Sequence, residues 1–131
     1  MTPYEIPVGA TTAAPAPVPL PNIIKIPVVL PGTTTPPRCM RIGCAEACTV
    51  QVYAIKHAYQ VGNEITANGL VQVAADFYTL SAAVAITAGA MVTIPDPTAT
   101  NGWIIPPPGL IYVRVTAASA TPTTKAVVMI L

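Results

Sequence analysis

The sequence predicts an all-β chain: a single small β-sandwich or jelly roll preceded by an extended, proline-rich N-terminal arm. Three observations carry this. Ten of the 16 prolines fall in the first 37 residues. Beyond them, short runs alternate apolar and polar side chains with a period of two, the signature of strands with one buried face. The pairs Gly62-Asn63, Asn68-Gly69 and Asn101-Gly102 punctuate those runs as turns, and no segment sustains a helical period between caps. At 131 residues the chain is sized for one domain. The expected division is an arm over 1–37 and a β-domain over 38–131.

Within the arm, each proline removes a backbone donor, fixes φ and pushes its predecessor towards extended geometry. Residues 1–21, with Pro3, Pro7, Pro15, Pro17, Pro19 and Pro21, therefore read as a reaching polyproline-like ribbon. Residues 22–31 differ. Ile23, Ile24, Ile26, Val28, Val29 and Leu30 are too apolar for a solvated linker and read as a strand seeking a sheet edge, in this chain or in a neighbour.

The first strand of the domain is expected at Cys48–Ile55, where Val50, Val52 and Ala54 face one way and Thr49, Gln51 and Tyr53 the other. Shorter runs follow at 70–74, 84–87 and 90–94, the last two joined around Gly89. The clearest strand is 110–116, with Ile111, Val113 and Val115 on one face and Tyr112 and Arg114 on the other. Residues 125–131, after a small polar turn holding Pro122, are expected to return as its hairpin partner.

Composition narrows the function classes. Charged residues make up 8% of the chain and hydrophobic residues 53%, against roughly 25% charged in an average soluble domain. A small domain has too little interior to hide that much apolar surface, so other subunits or lipid should cover the remainder. A membrane helix is the weaker choice. The uncharged stretch 77–95 is interrupted by Thr79, Ser81, Thr87, Gly89 and Thr93, and no basic cluster flanks it. The N-terminal residues, with Glu5 and early prolines, do not read as a secretion signal. The six cations Lys25, Arg38, Arg41, Lys56, Arg114 and Lys125 are scattered, which argues against nucleic-acid binding.

Candidate chemistry is sparse. Cys39, Cys44, Cys48 and His57 supply the ligand types of a zinc site, but no pair has the close C-x-x-C spacing such sites favour. Buried free thiols are the preferred reading, with a disulfide from Cys48 to either Cys39 or Cys44 left open. A thiol nucleophile with His57 as base lacks an orienting third group. The acids Glu5, Glu46, Glu64, Asp76 and Asp96 are isolated, and there is no phosphate loop or nucleophile elbow. No catalytic residue, metal or cofactor is expected. Trp103, beside the run Pro106-Pro107-Pro108, is the candidate for partner or sugar contact, while plugging one end of the sandwich is its preferred reading in a core with so few aromatic residues.

The proline-rich arm, the Ala-, Thr- and Val-rich β-domain and the run Gly-Leu-Ile-Tyr-Val-Arg-Val-Thr at 109–116 together resemble the capsid decoration, or cement, proteins of tailed bacteriophages. The resemblance is of style rather than motif. It implies a homo-oligomer, dimer or trimer, on the capsid surface of a virion. Such a protein bridges the major capsid protein or other virion subunits and touches neither nucleic acid nor membrane. The partner-binding residues expected from this sequence are Tyr4, Ile6, Val8, Val18, Leu20, Ile23, Ile24, Ile26 and Trp103. The alternative is a carbohydrate-binding or adhesin module of a head fibre or tail, with Trp103, Tyr112 and Tyr53 as stacking residues.

Overall fold

A computed structural model describes residues 3–9, 22–26, 39–55, 60–61, 64–65, 77–94, 109–117 and 124–130. Every element in them is a strand: β1 (Tyr4–Pro7), β2 (Ile23–Lys25), β3 (Met40–Gly43), β4 (Cys48–Ile55), β5 (Gln60–Val61), β6 (Glu64–Ile65), β7 (Phe77–Thr79), β8 (Val84–Ile86), β9 (Met91–Ile94), β10 (Leu110–Ala117) and β11 (Lys125–Ile130). They form a small β-sandwich. One sheet has the order β1-β11-β3-β9 and the other β2-β10-β4-β7, with β8 also on β4. All named pairs are antiparallel. The stretch 77–94 lies in β7, β8 and β9, and no helix among the described residues is long and apolar enough to cross a membrane.

Alternation decides which side chains fill the space between the sheets. Ile42, Val128 and Ala126 from the four-stranded sheet meet Val50, Val52, Ile111 and Val113 from the five-stranded one, all fully buried. The 110–116 and Cys48–Ile55 expectations are met nearly to the residue, and the two strands pair from Ile111↔Ala54 to Ala117↔Cys48. β5 and β6 pair with the register Gln60↔Ile65 and Val61↔Glu64, and the expected turn pair Gly62-Asn63 lies outside the described residues. The expected run 70–74 lies outside the described residues.

One expectation is overturned. β11 is not the hairpin partner of β10; it sits in the opposite sheet, between β1 and β3. Its pattern of inward Ala126, Val128 and Ile130 demands one buried face, and either sheet of a sandwich supplies that. Likewise β8 and β9, joined around Gly89, do not pair with each other. The chain arches from one sheet to the other, Gly89 takes φ +76°, and its N–H donates to Cys44 O at 2.8 Å. The neighbouring arch, Cys44 to Cys48, joins β3 to β4 across the same end of the sandwich.

The described residues of the expected arm, 3–9 and 22–26, pack into the core. β1 forms the edge of the four-stranded sheet on β11, and β2 the edge of the other on β10. Gly9 extends the contact: its N–H donates to Val115 O at 3.1 Å and its carbonyl accepts from Ala117 N at 3.0 Å, in a parallel bridge to β10. The segment 3–9 therefore bonds to both sheets. Prolines suit this edge position, since their missing N–H has no ladder partner to lose on the outer side.

Candidate interaction surface

The outer face of the four-stranded sheet is built by the residues that alternate with the core. On β11 these are Lys125, Val127 and Met129; on β3, Arg41 and Gly43; on β9, Met91 and Thr93; on β1, Glu5. The register aligns Glu5, Val127, Gly43 and Met91 in one row across all four strands. Met91 and Val127 are 43% and 38% exposed, and with Met129 they line an open groove of about 600 Å³. Gly43 makes the groove possible. A Cβ there would lie 2.8 Å from both Ala90 O and Met91 Cγ, so the glycine is where the Met91 side chain lies down on the sheet. A Lys125–Glu5 ion pair at 3.6 Å, both side chains well exposed, forms a polar border.

The outer face of the five-stranded sheet is different. Tyr53, Ile55, Phe77, Leu110 and Tyr112 point away from the sandwich interior, yet all are at most 7% exposed and form a second apolar cluster with Ile23 against it. Tyr53 and Tyr112 stack with centroids 5.7 Å apart, and Phe77 meets Tyr53 edge-on at 6.0 Å. Burial pushes the Tyr112 phenol above its ordinary pKa, while Arg114 beside it and a hydrogen bond from Asn22 pull the other way. Tyr53 and Tyr112 are thus packing residues, not an exposed platform for a sugar. The opposite half of this face is mixed, with Thr49, Arg114 and Thr116 beside Ala85 and Ile86 lining a second depression.

The sequence-predicted contact residues fall into three groups. Ile6, Val8, Ile24 and Ile26 are buried in this chain's own core, and Ile23 packs under the aromatic cluster. Tyr4 stays 37% exposed at the sheet edge. Val18, Leu20 and Trp103 lie outside the described residues. The outward apolar residues Met91, Val127 and Met129 were missed. Their signal was present, because β9 and β11 carry Met91, Val127 and Met129 on positions facing away from the core as well as apolar residues facing it.

Of the thiols, Cys44 and Cys48 are buried and Cys39 is half-buried; all three are free. Cys44 Sγ lies 3.4 Å from Thr124 Oγ1 and accepts from Glu46 N at 3.5 Å. Burial, with Cys44 and Glu46 nearby, pushes the Cys48 thiol up to about 11, the opposite of an activated nucleophile. No group of metal-ligating side chains comes together among the described residues, and His57 lies outside them. No known family, curated protein or solved structure matches the chain.

Proposed function

We propose that this chain is a non-enzymatic structural subunit that decorates and braces a virion capsid, bridging the major capsid protein or other virion subunits and associating with further copies of itself. The observation that supports this best is the outer face of the four-stranded sheet. It presents a mainly apolar groove on a four-stranded antiparallel sheet, with Lys125 and Glu5 at its border. An apolar centre with a polar rim is the anatomy of a protein contact. Methionine suits such a surface because its unbranched side chain adapts to the partner.

The work of such a subunit is mechanical. Each contact is modest in area, but symmetry repeats it, and linked contacts multiply into avidity without any one being tight. The low charge content favours this reading, since few side chains resist desolvation at a contact. The raised pKa of Cys48 removes that one thiol as an activated nucleophile. The sugar-binding reading loses Tyr53 and Tyr112 to the interior.

The test is to mix the purified chain with capsids lacking it and image the particles, with light scattering of the chain alone in parallel. Regular density on the shell surface is the expected result. A monodisperse monomer that binds no shell or filament would overturn the proposal.

A further inference from the structure

We propose that Cys44 and Cys48 are a disulfide-forming pair, a covalent modification site that staples the two sheets to each other at the β3–β4 arch. The inference is independent of the shell reading. It rests on where the fold places three cysteines whose spacing alone left the pairing open.

Cys44 ends β3 in the four-stranded sheet, and Cys48 begins β4 in the five-stranded sheet, with only Ala45, Glu46 and Ala47 between them. Both belong to the core cluster, both are at most 6% exposed, and they flank a three-residue arch, with Cys44 close enough to add to the rise in the Cys48 pKa. The Cys44 side chain folds back over the arch, where it accepts the Glu46 N–H. A disulfide requires Cα atoms within about 7 Å and side chains directed at each other. Two core cysteines at the two ends of a three-residue arch between the sheets are placed to approach that condition.

Cys39 is placed too far away. It precedes Met40 at the opposite end of β3, so the length of the strand separates it from Cys44. Five residues of extended chain span about 16 Å, more than twice the bridging limit. Cys48 is at the Cys44 end of the sandwich and no nearer to Cys39.

The chemistry needs a two-electron acceptor, which a low-molecular-weight disulfide such as oxidised glutathione supplies. Cys44 lines the rim of the open groove beside Thr124 and Lys125, which gives an oxidant a route to it. The Cys44 thiolate attacks one oxidant sulfur, the oxidant S–S bond breaks and one small thiol leaves. Cys48 then gives its proton to solvent and attacks the Cys44 sulfur of the mixed disulfide, releasing the second small thiol. Two S–H bonds become one S–S bond, and the two electrons and two protons end on the oxidant. Cys48, whose thiol burial holds protonated, attacks second.

The experiment uses the full, reduced chain treated with oxidised glutathione in mildly alkaline buffer, then alkylated, digested with trypsin and analysed by mass spectrometry. Arg41 and Lys56 bound a peptide that holds both Cys44 and Cys48, while Cys39 falls between Arg38 and Arg41 in another. The expected result is a 42–56 peptide lighter by two hydrogens and unalkylated, with Cys39 alkylated. Cys39→Ser should leave that link intact and Cys44→Ser should abolish it. A link joining the Cys39 peptide to the 42–56 peptide, a glutathione adduct that persists on Cys44, or full alkylation of both arch thiols in the oxidant-treated folded chain would each overturn the proposal.

Discussion

Ser81 completes the backbone ladder of Val52: its hydroxyl accepts the Val52 N–H at 3.1 Å while its own N–H donates to Val52 O at 3.2 Å. Four residues, Leu80 to Ala83, stand opposite Gln51 and Val52, so the edge strand bulges and splits into β7 and β8. The serine oxygen takes the place of the carbonyl that the bulge carries away. Its other tie to this region is Gln51 Nε2, which donates to Ser81 O at 3.4 Å.

Ser81→Ala should therefore leave a buried donor on the central strand unsatisfied and cost about 1–3 kcal/mol. Urea unfolding of the variant beside the parent measures it. Ser81→Thr, which keeps the hydroxyl, should recover most of the loss.

Gly43→Ala should also destabilise, by about 1–3 kcal/mol, because the new methyl meets the Ala90 carbonyl as well as the flexible Met91 side chain. A thermal melt reads the loss. Pairing it with Met91→Ala should relieve only the side-chain part of the clash.

Met91→Ser and Val127→Ser, on the outer face, should change stability by no more than about 0.5 kcal/mol, as exposed positions do. If the groove is the contact surface, the double variant should lose binding to shells while melting like the parent. Sedimentation of the chain with and without particles checks both.

Ile6→Ala should cost about 2–5 kcal/mol, since Ile6 is fully buried. Deleting residues 2–21 removes Ile6, Val8 and the Gly9 bridge together, and should lower stability rather than only weaken assembly. Circular dichroism melts of the truncated chain decide between those outcomes.

Alkali should weaken the fold through Cys48. Its native pKa, about 11, lies above the ordinary value of 9.0, so the unfolded chain loses this proton first. The stabilising contribution is complete below pH 9 and is lost as pH rises towards 11. Denaturation midpoints in reduced protein across that window should fall, and fall less in Cys48→Ala when each is compared with its own value at neutral pH.

The sandwich class and its two central strands were legible because Val50, Val52, Ile111, Val113 and Val115 alternate cleanly with polar neighbours. Sheet membership was not. Ala126, Val128 and Ile130 announce a buried face, but a period of two carries no information about which sheet lies opposite, so β11 was assigned the wrong neighbour. The early prolines hid β1 and Gly9, because a composition that excludes a central strand still permits an edge. Ile6 and Val8 were expected as partner contacts, and both are buried in this chain's own core. The groove escaped notice because Val127 and Met129 share a strand that is apolar on both faces, which blurs the alternation.

The double attachment of residues 3–9 also decides how the protein carries a load. Tension entering through Pro3 passes to β11 through the Tyr4–Pro7 ladder and, farther along, to β10 through Gly9, so both sheets share the strain before either strand is lost. Peeling the segment away would unlatch two seams in succession, starting with the longer. A tether anchored in that way should fail in two force steps, a long one at β11 and a short one at Gly9.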